Sequence, residues 1–423
     1  MAFCVISSNS VLQLMIKGAK IHLLERSVFM DKIKIPVALQ IVMDDMGWHK
    51  GENGLKDGRS ARTGINRDHE VEDYIVLNEI GKKIDMHFMC GFTIGELDKD
   101  NVLRGMKHAT LDEEGWDRAS EIDYEKTQKF FEAIENSEYI DLAFHGTMHG
   151  YWENGDNFGN PREFYSFDLP EGATERRVDY PVVPVSAEYV DEHLDAWFKI
   201  YNSWGFTKKV ETIISPASLY KDKWIVDSYA EKAKKYGIKY WKNLWVEHNC
   251  LTENFKGIIF LNAQGELVDW NHYDVEPLKD ASVKEFNEDG KYPIYSVLGC
   301  HWANFVHSDP KDNLKYVDQW AEFFLKQKKI FGRMLSKNMA FACHQAQYHV
   351  HTKMNFENNV LTLDVTDVLN QDTISKINEL YISIKNDLVP KEIKGGTIEV
   401  FEVQDDFKTY KITVENNIIK ISF

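Results

Sequence analysis

The chain has 423 residues, of which 43% are hydrophobic and 28% are charged, and its formal net charge is −17. This length can bury the core of one large domain and a smaller one. The acidic balance argues against a nucleic-acid backbone or an anionic membrane surface as a partner. The five cysteines are widely spaced and form no C-x-x-C pair, which favours free thiols over a disulfide framework.

The first thirty residues lack the features of a targeting segment. They contain a short apolar patch, Val11–Ile16. They have neither the long apolar core nor the cleavage site of a signal peptide, and they contain no stretch that reads as a membrane span. We predict that residues 1–30 are a leader that is disordered or precedes a true start at Met30. A cytoplasmic location is the default expectation, and a periplasmic or secreted location follows if the true N-terminus differs.

From Ile35 onward, apolar runs typical of buried strands alternate with segments of helical period. The predicted strands are Ile35–Met43, Ile84–Met89, Tyr139–Phe144, Val210–Ile214, Ile238–Val246, Ile258–Leu261, Tyr292–Leu298 and Met339–Cys343. The predicted helices are His69–Lys83, Tyr124–Asn136, Ala187–Trp204, Trp224–Tyr236 and Asn313–Phe331. This alternation predicts an α/β fold with a parallel sheet, and the number of repeats favours a barrel, complete or incomplete.

The pattern changes near residue 355. Short strands are predicted at Val360–Asp367, Thr397–Val403, Phe407–Val414 and Ile418–Phe423, with one helix at Ile374–Lys385. We therefore predict a barrel-type catalytic domain over residues 31–354 and a small β-rich accessory domain over residues 355–423.

Side chains that can bind a metal follow several of the predicted strands. Asp44 and Asp45 end the first strand, and His145 ends the third. His149 lies four residues after His145, so one turn or a tight loop can aim both imidazoles at one ion. Two imidazoles and the Asp45 carboxylate suit an ion such as Zn²⁺ and leave a position open for water or substrate. Because successive strand side chains point in opposite directions, we expect Asp44 to stay off the ion and act as a base.

Three motifs in this order resemble those of the polysaccharide deacetylase (NodB-like) family, carbohydrate esterase family four. They are Asp44-Asp45, His145-Gly-Thr-Met-His149 and Leu298-Gly-Cys-His301. The resemblance covers about Ile35 to His344. It implies a distorted (β/α)7 barrel, a divalent metal that is usually zinc, and removal of an N- or O-acetyl group from an oligo- or polysaccharide by a metal-activated water.

The resemblance also implies a role for each matching residue. Asp44 corresponds to the general base of the family and Asp45 to a metal ligand. His145 and His149 correspond to the other two metal ligands, and His301 corresponds to the general acid.

The sequence departs from the family's pattern at two motifs. The first motif usually reads T-F-D-D-G, whereas here it is Val42-Met43-Asp44-Asp45-Met46. The third motif of the family contains an Arg that orients the catalytic Asp, but the nearest match, Ile214–Tyr220, has no Arg. The resemblance is therefore to a divergent branch of the superfamily.

Further residues are predicted to contact a carbohydrate. Aromatic side chains near the motifs can stack on a sugar ring, an Arg can bind an acidic substituent, and a histidine that ends a strand can line the pocket. These residues are Trp48, Arg62, Trp152, Trp302 and His344.

Two alternative functions remain open from the sequence. Glycoside hydrolysis on the same barrel requires two carboxyl groups about 5–10 Å apart, of which Asp44 would be one. The candidates for the other are Glu96, Glu153, Asp269 and Glu276. A catalytically degenerate barrel that only binds carbohydrate would account for the missing Arg, although binding alone does not require a base at Asp44.

Overall fold

The computed structural model of the protein describes residues 32–51, 63–152, 162–167, 182–216, 223–242, 251–261, 264–267, 272–285, 296–330 and 334–423. The predicted leader lies outside these residues. The chain forms two compact units. The larger unit comprises Val37–Ala346 and Gln371–Lys376, and the smaller comprises Gln347–Asn370 and Ile377–Phe423 with the described residues before Val37.

The strands are numbered in chain order. The first fourteen are β1 (Ile33–Lys34), β2 (Ala38–Met46), β3 (Phe88–Phe92), β4 (Ile140–Phe144), β5 (Tyr165–Phe167), β6 (Val182–Pro184), β7 (Thr212–Ile214), β8 (Tyr240–Lys242), β9 (Thr252–Phe255), β10 (Ile258–Leu261), β11 (Gln264–Leu267), β12 (Val283–Glu285), β13 (Val297–His301) and β14 (Met334–Leu335). The others are β15 (Lys353–Glu357), β16 (Val360–Asp364), β17 (Glu379–Lys385), β18 (Glu392–Lys394), β19 (Gly396–Val403), β20 (Phe407–Val414) and β21 (Ile418–Ser422).

The helices are numbered in the same way. They are α1 (Glu72–Ile84), α2 (Tyr124–Glu135), α3 (Ala187–Ser203), α4 (Lys223–Lys234), α5 (Pro277–Asp280), α6 (Val317–Ile330), α7 (Met339–His351) and α8 (Thr366–Leu369). Short 3-10 helices cover Gly95–Leu97, Arg118–Ser120, Trp302–Phe305 and Pro310–Tyr316. Of the helices described, none has the length and apolarity needed to cross a bilayer.

The larger unit is a mixed α/β structure around a parallel sheet. The parallel strands are neighbours in the order β11, β13, β2, β3, β4, β7, β8 and β10. The antiparallel strands β12 and β9 lie at the two ends of this order, and β14 also pairs with β2. Between the two end strands the described residues contain no ladder, so a closed barrel is not shown for the part of the chain that is described.

The central strands are buried throughout, as expected for parallel strands covered on both faces. All nine residues of β2 are buried, including Asp44 and Asp45. The helices contribute apolar side chains at helical spacing to the same core, such as Leu77 and Ile80 from α1. Asp123 and Ser186 begin α2 and α3 by accepting hydrogen bonds from backbone N–H groups of the first turn. The described cysteines, Cys90, Cys300 and Cys343, are buried free thiols.

Two of the predicted elements are wrong. The predicted strand Met339–Cys343 is the first part of helix α7, which begins after Asn338, whose side chain accepts from the N–H of Phe341 at 3.0 Å. Five apolar residues do not distinguish a strand from a helix by periodicity. The predicted helix Ile374–Lys385 contains strand β17 instead, in which Leu380, Ile382 and Ile384 alternate into the core.

The smaller unit is built from β-strands. One four-stranded antiparallel sheet has the order β1, β17, β20 and β19, and another has the order β15, β16, β21 and β18. Alternate residues of these strands, such as Leu361, Leu363, Ile419 and Ile421, are fully buried. The two units divide within α7, between Ala346 and Gln347, a short distance before the predicted boundary at residue 355.

A buried hydrogen-bond network connects the start of α1 to the segment after β13. The Asp73 carboxylate accepts two hydrogen bonds from Arg67, at 2.7 and 2.9 Å, and one from His69 at 2.9 Å. Asn313 donates to the same carboxylate, and the Trp302 indole donates to the backbone carbonyl of Asp73. Burial alone would raise the pKa of Asp73, but the hydrogen bonds from Arg67 and His69 outweigh it and hold that pKa well below its ordinary value.

We expect Asp73→Asn to lower the unfolding free energy at pH 7 by about 3–5 kcal/mol, because the buried Arg67 charge loses its partner. A depressed carboxyl pKa contributes stability that is fully present above the unfolded-state pKa of about 3.9 and is lost as the pH falls below it. In urea titrations the unfolding free energy of the wild type should therefore fall at acid pH, and that of the variant should depend less on pH.

The control is Asp318→Asn, which removes a carboxylate that is 78% exposed and pairs with Lys83 on the surface. We expect this change to alter stability by less than about 0.5 kcal/mol. An Asp73→Asn protein whose stability falls with acid as steeply as that of the wild type would contradict the role given to Asp73.

Candidate metal centre

The candidate ligands follow neighbouring parallel strands, whose carboxyl ends lie at one edge of the sheet. Asp44 and Asp45 lie near the end of β2, and His145 directly follows β4. His301 ends β13 and lies opposite Asp44 in the ladder between β13 and β2. The topology therefore brings together, from distant parts of the sequence, the residues of all three sequence motifs.

A β-bulge in β2 sets the direction of the two carboxylates. Met43 pairs with Cys90 and Met46 with Phe92, so Asp44 and Asp45 face a single residue of β3. Asp45 adopts a left-handed backbone conformation with φ of 68°, which Asp tolerates better than most residues. The strict alternation assumed for Asp44 and Asp45 from the sequence does not hold here, because the bulge interrupts it.

Three buried side chains converge at this edge. The Asp45 Oδ1 atom lies 3.5 Å from His145 Nε2 and 3.5 Å from His149 Nε2. One ligand atom from each residue lies within 4.8 Å of the others, and each residue is at most 2% exposed. Among the described residues, this is the one group of histidines, cysteines and carboxylates close enough to hold an ion.

The donor atoms of this cluster fit a divalent ion. The His145 Nδ1–H donates to the backbone carbonyl of Ile214 at 3.0 Å, so in the neutral ring Nε2 carries a lone pair. That Nε2 is buried and makes no hydrogen bond to any described group, although it faces the Asp45 carboxylate. A cation between these electron-rich atoms would satisfy both, and two nitrogens with one oxygen suit Zn²⁺ or a similar ion.

Glu163 fixes the conformation of the histidine loop, residues 145–149. Its buried carboxylate accepts hydrogen bonds from the N–H and hydroxyl of Thr147 at 2.8 and 3.0 Å and from His193 at 2.6 Å. Gly146 has a φ of 89°, and a side chain there would collide with Glu163. His149 also has a positive φ, 54°, which a residue other than glycine adopts rarely. The sequence motif gave no indication of Glu163, which lies beyond the loop.

Lys242 on β8 pairs with Asp44 on β2, although three strands separate β8 from β2 in the sheet order. The Lys242 Nζ lies 3.2 Å from Asp44 Oδ2, and both side chains are almost fully buried. The other carboxylate oxygen, Asp44 Oδ1, makes no hydrogen bond within the described part of the chain. Ile214–Tyr220, the nearest match to the family's third motif, has no Arg, and Lys242 was not among the predicted site residues, although a charged residue inside the apolar run Ile238–Val246 was a visible signal.

His301 completes the group. Its Nε2 lies 3.9 Å from Asp45 Oδ2, and the residue is 8% exposed. The His301 side chain and the Asn304 side chain each accept a hydrogen bond from the other's backbone N–H, which fixes the turn into the next 3-10 helix. The ring is thus held beside the candidate ligands.

The tryptophans predicted to stack on sugar are core residues in this structure. Trp48, Trp152 and Trp302 are each at most 1% exposed. The Trp302 ring stacks on His69 with ring centroids 4.0 Å apart. With their faces packed, these rings offer no surface on which a sugar could stack, so their predicted role does not agree with the structure.

Of the other two predicted substrate contacts, one is described by the structure and does not reach the cluster. Arg62 lies outside the described residues. His344 lies on α7, not at a strand end, and its Nε2 hydrogen bonds with Tyr240 at 3.2 Å and Ser375 at 3.0 Å. Tyr240 begins β8 and Lys242 ends it, so His344 contacts the end of that strand opposite to the candidate centre.

The structure describes two of the four carboxylates considered for glycoside hydrolysis, Glu96 and Glu276. Glu96 is buried in an ion pair with Arg118 at 2.7 Å, which keeps it from acting as a free acid. Glu276 precedes the short helix α5. Glu153 and Asp269 lie outside the described residues.

Comparison with known proteins identifies the fold but not the family. No protein-family model matches this sequence, and no curated protein matches it. The structure is similar to that of Agd3, a carbohydrate deacetylase, with a TM-score of 0.50 and 10% sequence identity. The similarity covers 92% of this chain and 65% of that chain, so this chain spans less than two thirds of Agd3. At this identity the similarity establishes a shared fold.

Two further solved structures are more distant, each with a TM-score of 0.34. One is a GH57-type branching enzyme from the hyperthermophilic archaeon Pyrococcus horikoshii, at 13% identity over 71% of this chain and 69% of that chain. The other is a protein from Parabacteroides distasonis classed as a glycoside hydrolase/deacetylase, at 11% identity over 84% of this chain and 82% of that chain. Similarity at this level does not bear on the fold or the site.

We expect purified protein to hold about one zinc or similar divalent ion per chain, and the His145→Ala/His149→Ala double variant to hold none, because it keeps one of three ligands. Elemental analysis after dialysis against trace metal measures this. The control, His87→Ala, removes a histidine that pairs with Asp141 away from the cluster, and it should keep the metal. Equal metal content in the double variant and the wild type would contradict the site.

Gly91 provides a second test of the same site. It lies on β3 opposite the bulge, and a Cβ there would come within 2.9 Å of the His145 ring. We expect Gly91→Ala to displace that ring and weaken metal binding by about 10- to 100-fold, as measured by chelator competition. The control is Gly205→Ala, where φ of 79° disfavours alanine but the new methyl meets no atom within 4 Å. Unchanged metal affinity in Gly91→Ala would show that His145 is not held as described.

Proposed function

We propose that the protein is a metal-dependent hydrolase that removes an N- or O-acetyl group from a carbohydrate, as a divergent relative of the polysaccharide deacetylases. The observation that carries this proposal is the buried Asp45–His145–His149 cluster, with the Asp44–Lys242 pair and His301 at its side. The shared fold with Agd3, itself a carbohydrate deacetylase, supports the choice of substrate class.

Asp45, His145 and His149 are the residues that would hold the ion. When bound, a divalent cation lowers the pKa of a coordinated water toward neutrality and polarises the acyl carbonyl. Three protein ligands are the number found in catalytic zinc sites, which keep one position open. The burial of all three ligands excludes bulk water, and this strengthens the electrostatic interactions within the site.

Asp44 is the proposed general base. One of its oxygens is held by Lys242, and the other oxygen makes no hydrogen bond to the described residues, so it can accept a proton from the attacking water. Lys242 thus supplies the positive charge that the missing third-motif Arg was expected to supply.

His301 is the proposed general acid. It lies beside Asp44 in the ladder and within 3.9 Å of Asp45, on the same edge as the candidate ligands. A protonated imidazole at this position can donate its proton to the leaving amine or alcohol as the acyl bond breaks. Acyl transfer to water needs a base for the attacking water and an acid for the leaving group, and Asp44 and His301 are the residues proposed for these two roles.

We expect Asp44→Asn to lower kcat for acetate release from acetylated oligosaccharides by about 100- to 10,000-fold, because the amide cannot accept the proton. Metal content should persist, since Asp44 is not among the three ligands. Enzymatic assay of acetate and elemental analysis of the same samples measure both quantities.

The matched control is Asp141→Asn, which changes a carboxylate of β4 that pairs with His87 at 3.1 Å outside the cluster. It should leave acetate release near the wild-type rate. Full activity in Asp44→Asn would refute Asp44 as the base. Release of reducing sugar without acetate by the wild type would instead identify glycoside hydrolysis.

A further inference from the structure

A polar cavity of about 370 Å³ lies at the segment that follows β2. Its volume falls within the range of small-molecule binding sites, roughly 300–1,000 Å³. We call it the Arg118 cavity. Its charged lining residues are Lys50, Asp68, Arg118, Glu121, Asp123 and Lys126.

The lining charges are balanced, with three cations and three carboxylates. Arg118 is 5% exposed and is fixed by ion pairs with Glu96 at 2.7 Å and Glu121 at 3.0 Å. Lys50 and Asp68 face each other in an isolated β-bridge, and within the described chain their side chains make no hydrogen bond or ion pair. The cavity therefore has a rigid wall at Arg118 and free polar groups at its rim.

The balance of charge around the cavity indicates which kind of ligand it can bind. An anion such as phosphate would meet three carboxylates, and a simple cation would meet three basic groups, so neither is favoured. The carboxylates do not converge as a metal site does, since the described residues contain no second ligand cluster. Neighbouring donors and acceptors suit hydroxyl groups, because each hydroxyl both donates and accepts a hydrogen bond.

The cavity is joined to the candidate metal centre through short connections. His49, which also lines the cavity, lies four residues after Asp45, so their Cα atoms are at most about 14 Å apart. On the other side, Arg118 pairs with Glu96, and the adjacent Gly95 N–H donates to the Thr147 carbonyl of the histidine loop at 2.8 Å. A short carbohydrate chain can extend over this distance.

We propose that the Arg118 cavity binds an uncharged sugar unit of the same carbohydrate chain whose acetyl group is removed at the metal centre. This inference rests on the proposed function and adds to it a binding site for a second unit of the chain. Hydroxyl groups of the bound unit would replace water at Lys50 and Asp68 and hold the chain while a neighbouring unit reacts.

The test is calorimetric titration of the full-length protein with tetramers of N-acetylglucosamine, glucose and xylose. We expect the wild type to bind at least one of them and Lys50→Ala/Asp68→Ala to bind it about tenfold more weakly, because two polar contacts are lost. The matched control is Lys129→Ala/Glu125→Ala, which removes one cation and one anion from an exposed pair on α2. It should bind as the wild type does.

Equal affinity in the cavity variant and the control, or no binding of any tetramer by the wild type, would overturn the proposal. Titration requires no turnover, so the two proposals can fail separately. Binding that depends on Lys50 and Asp68 without acetate release would support the cavity and refute the deacetylase. Acetate release, together with tetramer binding that the Lys50→Ala/Asp68→Ala change does not weaken, would support the deacetylase proposal and refute the cavity proposal.

Discussion

The parallel alignment of β13, β2, β3 and β4 is the constraint on which the candidate centre depends. Parallel strands place their carboxyl ends at one edge, so residues far apart in sequence emerge side by side. His301 lies opposite Asp44 for this reason. The bulge in β2 then adds one residue against β3, so Asp45 emerges near His145 without leaving the sheet. A change of register in any of these strands would separate the ligands.

Electrostatics sets the second requirement of the site. Two adjacent carboxylates are buried at the end of β2, and buried charge is unfavourable unless opposite charge or hydrogen bonds compensate it. Lys242 compensates Asp44. The His145 ring is oriented by the Ile214 carbonyl so that its Nε2 faces Asp45, an arrangement that a bound cation would stabilise. This requirement is the same whichever reaction the protein catalyses.

Buried hydrogen-bond networks around the site hold these side chains in place. Glu163 and His193 fix the histidine loop, and the Asp73 network fixes the segment that follows His301 through Trp302. Trp302 belongs to the Asp73 network, and Trp48 and Trp152 are likewise buried.

Local features of this protein could be predicted from the order of its residues. Apolar runs revealed most strands, and the D-D pair and the H-x-x-x-H spacing pointed to the candidate ligands, because strand burial and ligand chemistry are properties of neighbouring residues. The segments 339–343 and 374–385 were misassigned because short apolar runs fit both a helix and a strand. Lys242 lies 198 residues from Asp44, and their contact depends on strand order and register. The bulge, the burial of the tryptophans and the order of the described strands likewise arise from packing between distant segments, which no local pattern records.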